Sequence, residues 1–540
     1  MQKLISKTDY MVWRDCQHNA WMKKWKPDIY FALPPSDFDK NLIETGNQVE
    51  EKAREFFGNG ILIEGRDKQS IEKTKELLNK KTKMLFQACF SDGTLFAAVD
   101  ILKQGKDDEL YIYEVKASSA SKQDQEYDEN EVGESNEGDT IVDFMDLKAV
   151  EKYKKKLLKD PHLYDVAFQV YLARKVGYKV AGAFIVRLNK GYVRGESLNL
   201  NKLFIQEEVL RFVDEILPDI ETDIKEMIKK LSSSDKPTGP CSCIYKSKTN
   251  HCTTFKYHNE AIIGKKTVDY SVHSLTRIRV QKIKELIDRK IYDILEIPDD
   301  VEFSEKISKQ IRVHKRNKAE INYEAIKKEF EKLNFPLYFL DYEAFNPAIP
   351  RFVGYKPYQQ IPFQFSLHIL TKEAAENGSE PEKAEPFFYD GQDDPSPMFV
   401  EHLKKHIGKI GSIIVWNKTF EESHVNKHLA IRLPEYTDFL NSVNARIFDL
   451  MTIFSKQLHI HQDFHGSASI KKVLPVLVPE LSYKELDVGN GSEAMNTWNK
   501  MVSGEMSEIE KREARKAMLE YCNLDTYAMY AIWKKLNEII

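Results

Sequence analysis

An α/β (α+β) chain with two mixed cores joined by a helical stretch is predicted by three observations. Runs rich in aromatic and β-branched residues fall in two separate groups, FQACF, LFAAVDIL and LYIYEVKAS early in the chain and PLYFLDYEAF, PFQFSLHIL and GSIIVWN late in it. Segments with the 3.6-residue apolar spacing of helices flank both groups. Between them, from about Ser271 to Leu333, the pattern is helical and rich in Lys and Arg.

Taken in order, residues 1 to about 60 read as helical, with Ser6 or Thr8 as the first N-cap and a second helix through NLIETGNQVEEKAREFF that stops at Gly58. Three strands follow. The acidic segment Ser118–Thr140 has almost no apolar anchors and reads as a mobile surface loop. Helical spacing returns in DLKAVEKYKKKLL and LYDVAFQVYLARKVG, then VAGAFIVRL as a buried strand, then a helix from Ile205 to Leu231. The stretch 261–334 is expected to be a basic helical linker module with a turn at Ile297-Pro298-Asp299. From Phe335 to Ile540 strands lead into helices, which indicates a second α/β domain.

At 540 residues, and roughly 100 to 200 residues per domain, about three or four compact units are expected. Lys plus Arg (80) nearly offsets Asp plus Glu (84), which excludes a protein coated in positive charge. Nucleic-acid binding must therefore be argued from local sites. The opening MQKLISKTDYMVW lacks the apolar stretch of a signal peptide, and no run approaches the ~20 apolar residues that cross a bilayer. A cytoplasmic protein with no membrane partner is expected.

Asp100 ends the strand FAAVD, and Glu114 and Lys116 lie two apart on the next strand, hence on one face. Two carboxylates can hold Mg²⁺ or Mn²⁺ against a phosphodiester, and a lysine ammonium can position the attacking water or offset developing charge. Taken alone, the same residues fit a solvated strand. With Gly46 to Glu50 upstream and Gln169 downstream, the set resembles the RecB-like branch of the PD-(D/E)XK nucleases over roughly residues 1–255. That resemblance implies a restriction-endonuclease-like core over 1–260, with Asp100 and Glu114 as metal ligands, Lys116 as the catalytic lysine, Glu50 as a further ligand and Gln169 as a site-ordering residue. The family's usual Tyr four residues after that Gln is replaced by Ala173.

Six cysteines are too few for a disulfide scaffold, and Cys241, Cys243 and Cys252 crowd into twelve positions, which points to metal chemistry. Some members of the RecB-like branch hold an iron–sulfur cluster with one cysteine before the core and three after it; Cys16, Cys241, Cys243 and Cys252 fit that order. Four thiolates suit a [4Fe-4S] cluster or a tetrahedral Zn²⁺, with His251 and His258 as nearby zinc ligands should one cysteine drop out, and free structural thiols are the alternative. Cys89 and Cys522 read as small core residues.

In YFLDYEAF, Asp341 and Glu343 share one face of an apolar strand. Asn417 and Glu421 follow a second strand, and Tyr521 and Asp525 lie one helical turn apart. Four carboxylates can hold two divalent ions, and Tyr521 can orient the attacking water. The ordered set, with Phe420, resembles the DnaQ-like DEDD exonucleases of RNase H-like fold, the variety with Tyr in the last motif, over about residues 335–540. Glu421 stands where that family usually has Asp. Asp449 is a further candidate carboxylate, more simply read as a helix N-terminal acid. The two-part layout also resembles an uncharacterised bacterial family in which a RecB-like half precedes an exonuclease-like half.

Basic stretches at Arg277–Arg289 and Arg312–Lys318 can track phosphates, and RFVGYKPYQQIPFQF can stack bases, although solvated faces and a core strand explain both. The resulting expectation is a metal-dependent nuclease acting on DNA, at single strands or ends, in repair, recombination or defence. The alternatives are a nucleic-acid-binding scaffold with one degenerate centre and an RNA-processing exonuclease.

Overall fold

A computed structural model describes residues 4–32, 37–120, 147–263, 270–483 and 491–540. The chain is mixed α/β and forms two compact units: Met1–Ile244 with Cys252–Ile262 and Pro347–Tyr358, and Tyr245–His251 with Ile263–Asn346 and Gln359–Ile540. The stretch 263–346 belongs to the second unit, so two units replace the three or four expected from length. Its helix Tyr323–Phe330 gives Ile326 and Phe330 to that unit's core, and Gln310 accepts from the Thr276 amide while Thr276 Oγ1 donates to the Gly466 carbonyl. Apolar side chains buried in that core make this helix part of the second unit rather than a connecting linker. No helix among the described residues is long and apolar enough to cross a membrane.

In the first unit, Ser6 caps the helix Lys7–Asp15 through a reciprocal capping box with Asp9. The helix Asp37–Phe57 ends at Gly58, whose φ of +85° makes the left-handed exit. The sheet runs Ile61–Leu62, Met84–Ser91, Leu95–Gln104, Leu110–Ala120, Val180–Asn189, Phe204–Glu208, with Ile5–Ser6 added alongside Leu95–Phe96. Leu110–Ala120 is antiparallel to Leu95–Gln104 and parallel to Val180–Asn189. One face carries Leu95, Ala97, Val99, Ile112 and Ile185 against the helices Lys7–Asp15, Pro161–Lys175 and Leu210–Leu231. The other carries Phe86, Ile101, Tyr113 and Val186 against Val49 and Ala53 of Asp37–Phe57.

Two local expectations change. Phe204–Glu208 is a strand where helical spacing predicts a helix from Ile205; Phe204 and Ile205 pair with Leu188 and Arg187 and are buried, so sheet pairing outweighs local preference. The helix then starts at Leu210. Leu110–Ala120 also takes in Ser118–Ala120 of the expected loop, of which 121–140 lies outside the described residues.

The second unit holds a mixed sheet in the order Glu382–Lys383, Ile361–Leu370, Leu337–Phe345, Ser412–Val415, Ile447–Asp449, with Phe387–Phe388 also on Ile361–Leu370. Its central strand Leu337–Phe345 runs antiparallel to Ile361–Leu370 and parallel to Ser412–Val415. Leu337 and Phe339 pack toward Ala528, Met529, Ile532 and Trp533 of the long helix Glu508–Ile539. Tyr338, Leu340 and Tyr342 pack on the opposite face with Phe399, Val400 and Leu403 of the helix Ser396–His406. This alternation decides where the acids point.

Candidate functional site

Because Leu337 and Phe339 face the helix Glu508–Ile539, strand alternation turns Asp341 and Glu343 to that same side. Asp525, one turn beyond Tyr521, comes down on them. One carboxylate oxygen from each of Asp341, Glu343 and Asp525 lies within 4.8 Å of the others. Glu343 and Asp525 are each 8% exposed, and Asp341 is partly open. Tyr483 Oη donates to Asp525 Oδ1 at 2.6 Å, and Cys522 Sγ lies 3.6 Å from Asp341 Oδ2. Lys471 Nζ stands 5.4 Å from the Tyr521 ring centre.

Crowding and burial raise the proton affinity of carboxylates. Burial, with the Asp525 charge beside it, pushes Glu343 up to about 8. Burial pushes Asp525 up to about 6 against the hydrogen bonds from Tyr483 and Tyr521. Burial and the charges of Asp525 and Glu343 hold Asp341 well above the carboxylate range. Such a cluster is costly without a cation and favourable with one.

Glu421 lies outside the three-acid set. It sits in the π-helical turn Phe420–Asn426, a form that recurs at functional sites. Its side chain is buried, Oε2 has no hydrogen-bond partner, and burial with the neighbouring charges of Asp341 and Asp449 raises it well above the carboxylate range. Asp449 ends the strand Ile447–Asp449 and pairs with Val415, and its Oδ1 accepts from the amides of Asn417, which has φ +78°, and of Met451, the N-cap of the short helix Thr452–Ser455. Tyr483, Lys471 and Cys522 complete the surroundings. Cys522, expected as a small core residue, is buried but lies against Asp341; its place three residues before Asp525 on one helix is the signal for that, whereas nothing in the spacing links Tyr483 or Lys471 to the acids.

In the first unit, Glu114 and Lys116 share the face that meets the helix Pro161–Lys175. Gln169 Nε2 donates to Glu114 Oε2 at 2.7 Å, and Lys116 Nζ to Glu114 Oε1 at 2.6 Å and to Asp165. Lys7, at the start of its helix, donates to both Glu114 oxygens at 2.8 and 2.9 Å. These ammonium groups hold Glu114 below the usual carboxylate range although burial opposes them. The ladder between Leu95–Gln104 and Leu110–Ala120 stops at Ile101–Tyr113, and Asp100 Oδ2 takes the Val115 amide at 2.9 Å in place of a carbonyl. Gln87, at φ +55°, links Glu50 Oε1 at 2.7 Å to Asp100 Oδ1 at 3.2 Å. Burial and the charge of Glu114 push Asp100 up to about 7.

All five expected residues thus belong to one network, but Glu50, Asp100 and Glu114 do not form a three-ligand set like that of the second unit. Lys7, Gln87 and Asp165 were missed. Asp165 had a signal, standing one turn before Gln169; Lys7 lies 107 residues from Glu114 and had none.

The sulfurs of Cys16, Cys241, Cys243 and Cys252 all lie within 4.8 Å of one another, so the tight C-x-C step excludes neither cysteine. His251 and His258 are outside that set. Cys89 is a core residue, 1% exposed. Of the basic stretches, Arg312 is spent on both Glu320 oxygens, Lys282 on Glu285 and Arg289 on Asp300. In the aromatic segment Tyr355, Phe363 and Phe365 are buried, which removes them as stacking platforms for bases.

Residues 338–469 match a family described as a domain of unknown function, DUF2779. The match takes in Asp341, Glu343, Glu421 and Asp449 and stops before Tyr521 and Asp525. An uncharacterized protein of Ureaplasma parvum serovar 3 is 28% identical over 255 residues, 42% of this chain and 35% of the relative. The chain therefore spans about a third of the length of the curated relative it matches. No solved structure matches the chain.

Proposed function

We propose that the chain is a metal-dependent nuclease whose second unit hydrolyses phosphodiester bonds of DNA, at single strands or ends. The observation that carries this reading is the convergence of Asp341, Glu343 and Asp525, buried acids whose raised proton affinity marks an environment poor in positive charge. The residues suit Mg²⁺ or Mn²⁺: hard carboxylate oxygens, one partly open acid, and Glu421 beside Asp341 with an oxygen lacking a partner. A bound ion would polarise the phosphodiester and supply the attacking hydroxide. Around it the chain's own groups have separate tasks. Tyr483 and Tyr521 orient Asp525 through hydrogen bonds, and the Lys471 ammonium offsets negative charge near the acids. The resemblance to DnaQ-like exonucleases agrees with a mixed sheet whose central strand carries the first two acids.

A second reading is favoured for the first unit by the two ammonium groups on Glu114. They occupy the carboxylate a metal would need, which suits a nucleic-acid-binding module with a degenerate centre. Labelled single strands incubated with Mn²⁺ separate the cases. Asp341→Ala is expected to remove cleavage by ~100-fold or more while Glu114→Ala retains it. Loss in Glu114→Ala alone would transfer the activity to the first unit, and full activity in the double variant would end the nuclease reading. Matched DNA and RNA oligonucleotides run side by side decide the polymer.

A further inference from the structure

We infer that Cys16, Cys241, Cys243 and Cys252 hold one tetrahedral zinc ion and not an iron–sulfur cluster. Both groups take four thiolates, but they place them differently. In a cluster the cysteines are divided among separate irons at its corners, with inorganic sulfide between, so the protein sulfurs stand apart. Around one ion at a Zn–S distance of about 2.3 Å, tetrahedral geometry sets neighbouring sulfurs about 3.8 Å from each other. Here Cys16 and Cys241 sulfurs are 3.0 Å apart, Cys241 and Cys252 are 3.6 Å apart, and all four fall inside 4.8 Å. From these positions a small outward shift of Cys16 and Cys241 reaches the spacing of one tetrahedral ion, whereas a core of irons and sulfides would need all four sulfurs moved well apart.

The surroundings are those of a built thiolate site. Cys16, Cys241 and Cys243 are 2%, 0% and 0% exposed. The amides of Asn19 and Cys252 point at the sulfurs of Cys16 and Cys243, each at 3.4 Å, as second-layer donors do to metal-bound thiolates. Cys16 sits at the joint between the helices Lys7–Asp15 and Gln17–Trp25, and the other three lie around the short turn Ser242–Tyr245. Side chains beside the cysteines fasten the same two segments: Thr254 Oγ1 donates to Asn19 Oδ1 at 2.8 Å, and His18 Nε2 meets the Gly239 carbonyl at 3.1 Å. Four soft sulfur donors with no histidine among them select zinc over the hard ions that suit the acidic centre.

Metal analysis of the full chain tests this, with protein expressed in iron-supplemented medium and purified without air so that cluster loss cannot mimic zinc. One zinc per chain is expected, with no acid-labile sulfide and no visible absorption. Replacement by Co²⁺ should then give the intense visible bands of a tetrahedral thiolate site, lost in Cys243→Ser and kept in Cys89→Ala. Iron at one or more per chain, with or without sulfide, overturns the inference, as does a chain free of metal. These readings do not depend on nuclease activity, so the two proposals fail separately.

Discussion

At the scale of single residues, the two centres solve opposite electrostatic problems. Glu114 is surrounded by Lys7, Lys116 and the Gln169 amide, and stays ionised in a buried place. Asp341, Glu343 and Asp525 face one another, and burial with the Asp525 charge holds Asp341 and Glu343 well above the carboxylate range. Removing one charge from the second cluster should therefore stabilise the protein when no divalent ion is present. In EDTA, Asp341→Asn is expected to gain roughly 0.5–2 kcal/mol in denaturant unfolding, whereas Mn²⁺ should raise the Tm of the parent and leave the variant nearly unchanged. A parent Tm indifferent to Mn²⁺ would contradict a metal centre there. The pH dependence has a defined sign. Glu343 has an ordinary value of 4.5 and a folded value of about 8, so between those limits the folded chain keeps a proton the unfolded chain has lost. Its contribution is neutral below the lower limit and increasingly destabilising as pH rises to the upper one. Stability in EDTA, followed from about pH 5 to pH 8, should fall more steeply for the parent than for Glu343→Gln.

At the scale of elements, the second centre depends on how the helix Glu508–Ile539 is seated on its sheet. Thr526 Oγ1 lies 2.9 Å from both Ser366 Oγ and His368 Nδ1, and Gln364 Nε2 donates to the Met518 carbonyl at 2.8 Å. These polar contacts fix the rotation that aims Asp525 at the central strand. Thr526→Val keeps the shape and leaves Ser366 and His368 short of a buried partner, an expected cost of roughly 1–3 kcal/mol in unfolding experiments. A cost near zero would show that the apolar packing of Ala528, Met529 and Ile532 seats the helix by itself. This helix and the central strand were legible in sequence, since period-3.6 and period-2 patterns state which side chains share a face. The strand Phe204–Glu208 was not legible, because its five residues fit a helical pattern and only its pairing partner decides otherwise. Nor was the π-helical turn at Glu421, whose extra residue per turn leaves no mark in composition.

At the scale of the whole molecule, the net charge is −4, and Arg312, Lys282 and Arg289 of the basic stretches are already paired with acids. Affinity for single strands is therefore expected to come mainly through divalent ions at the acids. Fluorescence anisotropy in EDTA should show weak binding, and Ca²⁺ should strengthen it by ~10-fold or more with only a shallow salt dependence. Tight, steeply salt-dependent binding in EDTA would instead reveal a cationic surface. The sequence by itself determined the mixed α/β class, the faces on which Glu114, Lys116, Asp341 and Glu343 lie, and the grouping of three cysteines, because these follow from local periodicity and short spacing. Tertiary structure alone decided that Lys7 reaches Glu114 across 107 positions, that Tyr483 binds Asp525, and that 263–346 joins the second core. Those contacts join residues remote in sequence, and their energies come from burial and paired charge, which exist only once the chain has closed on itself.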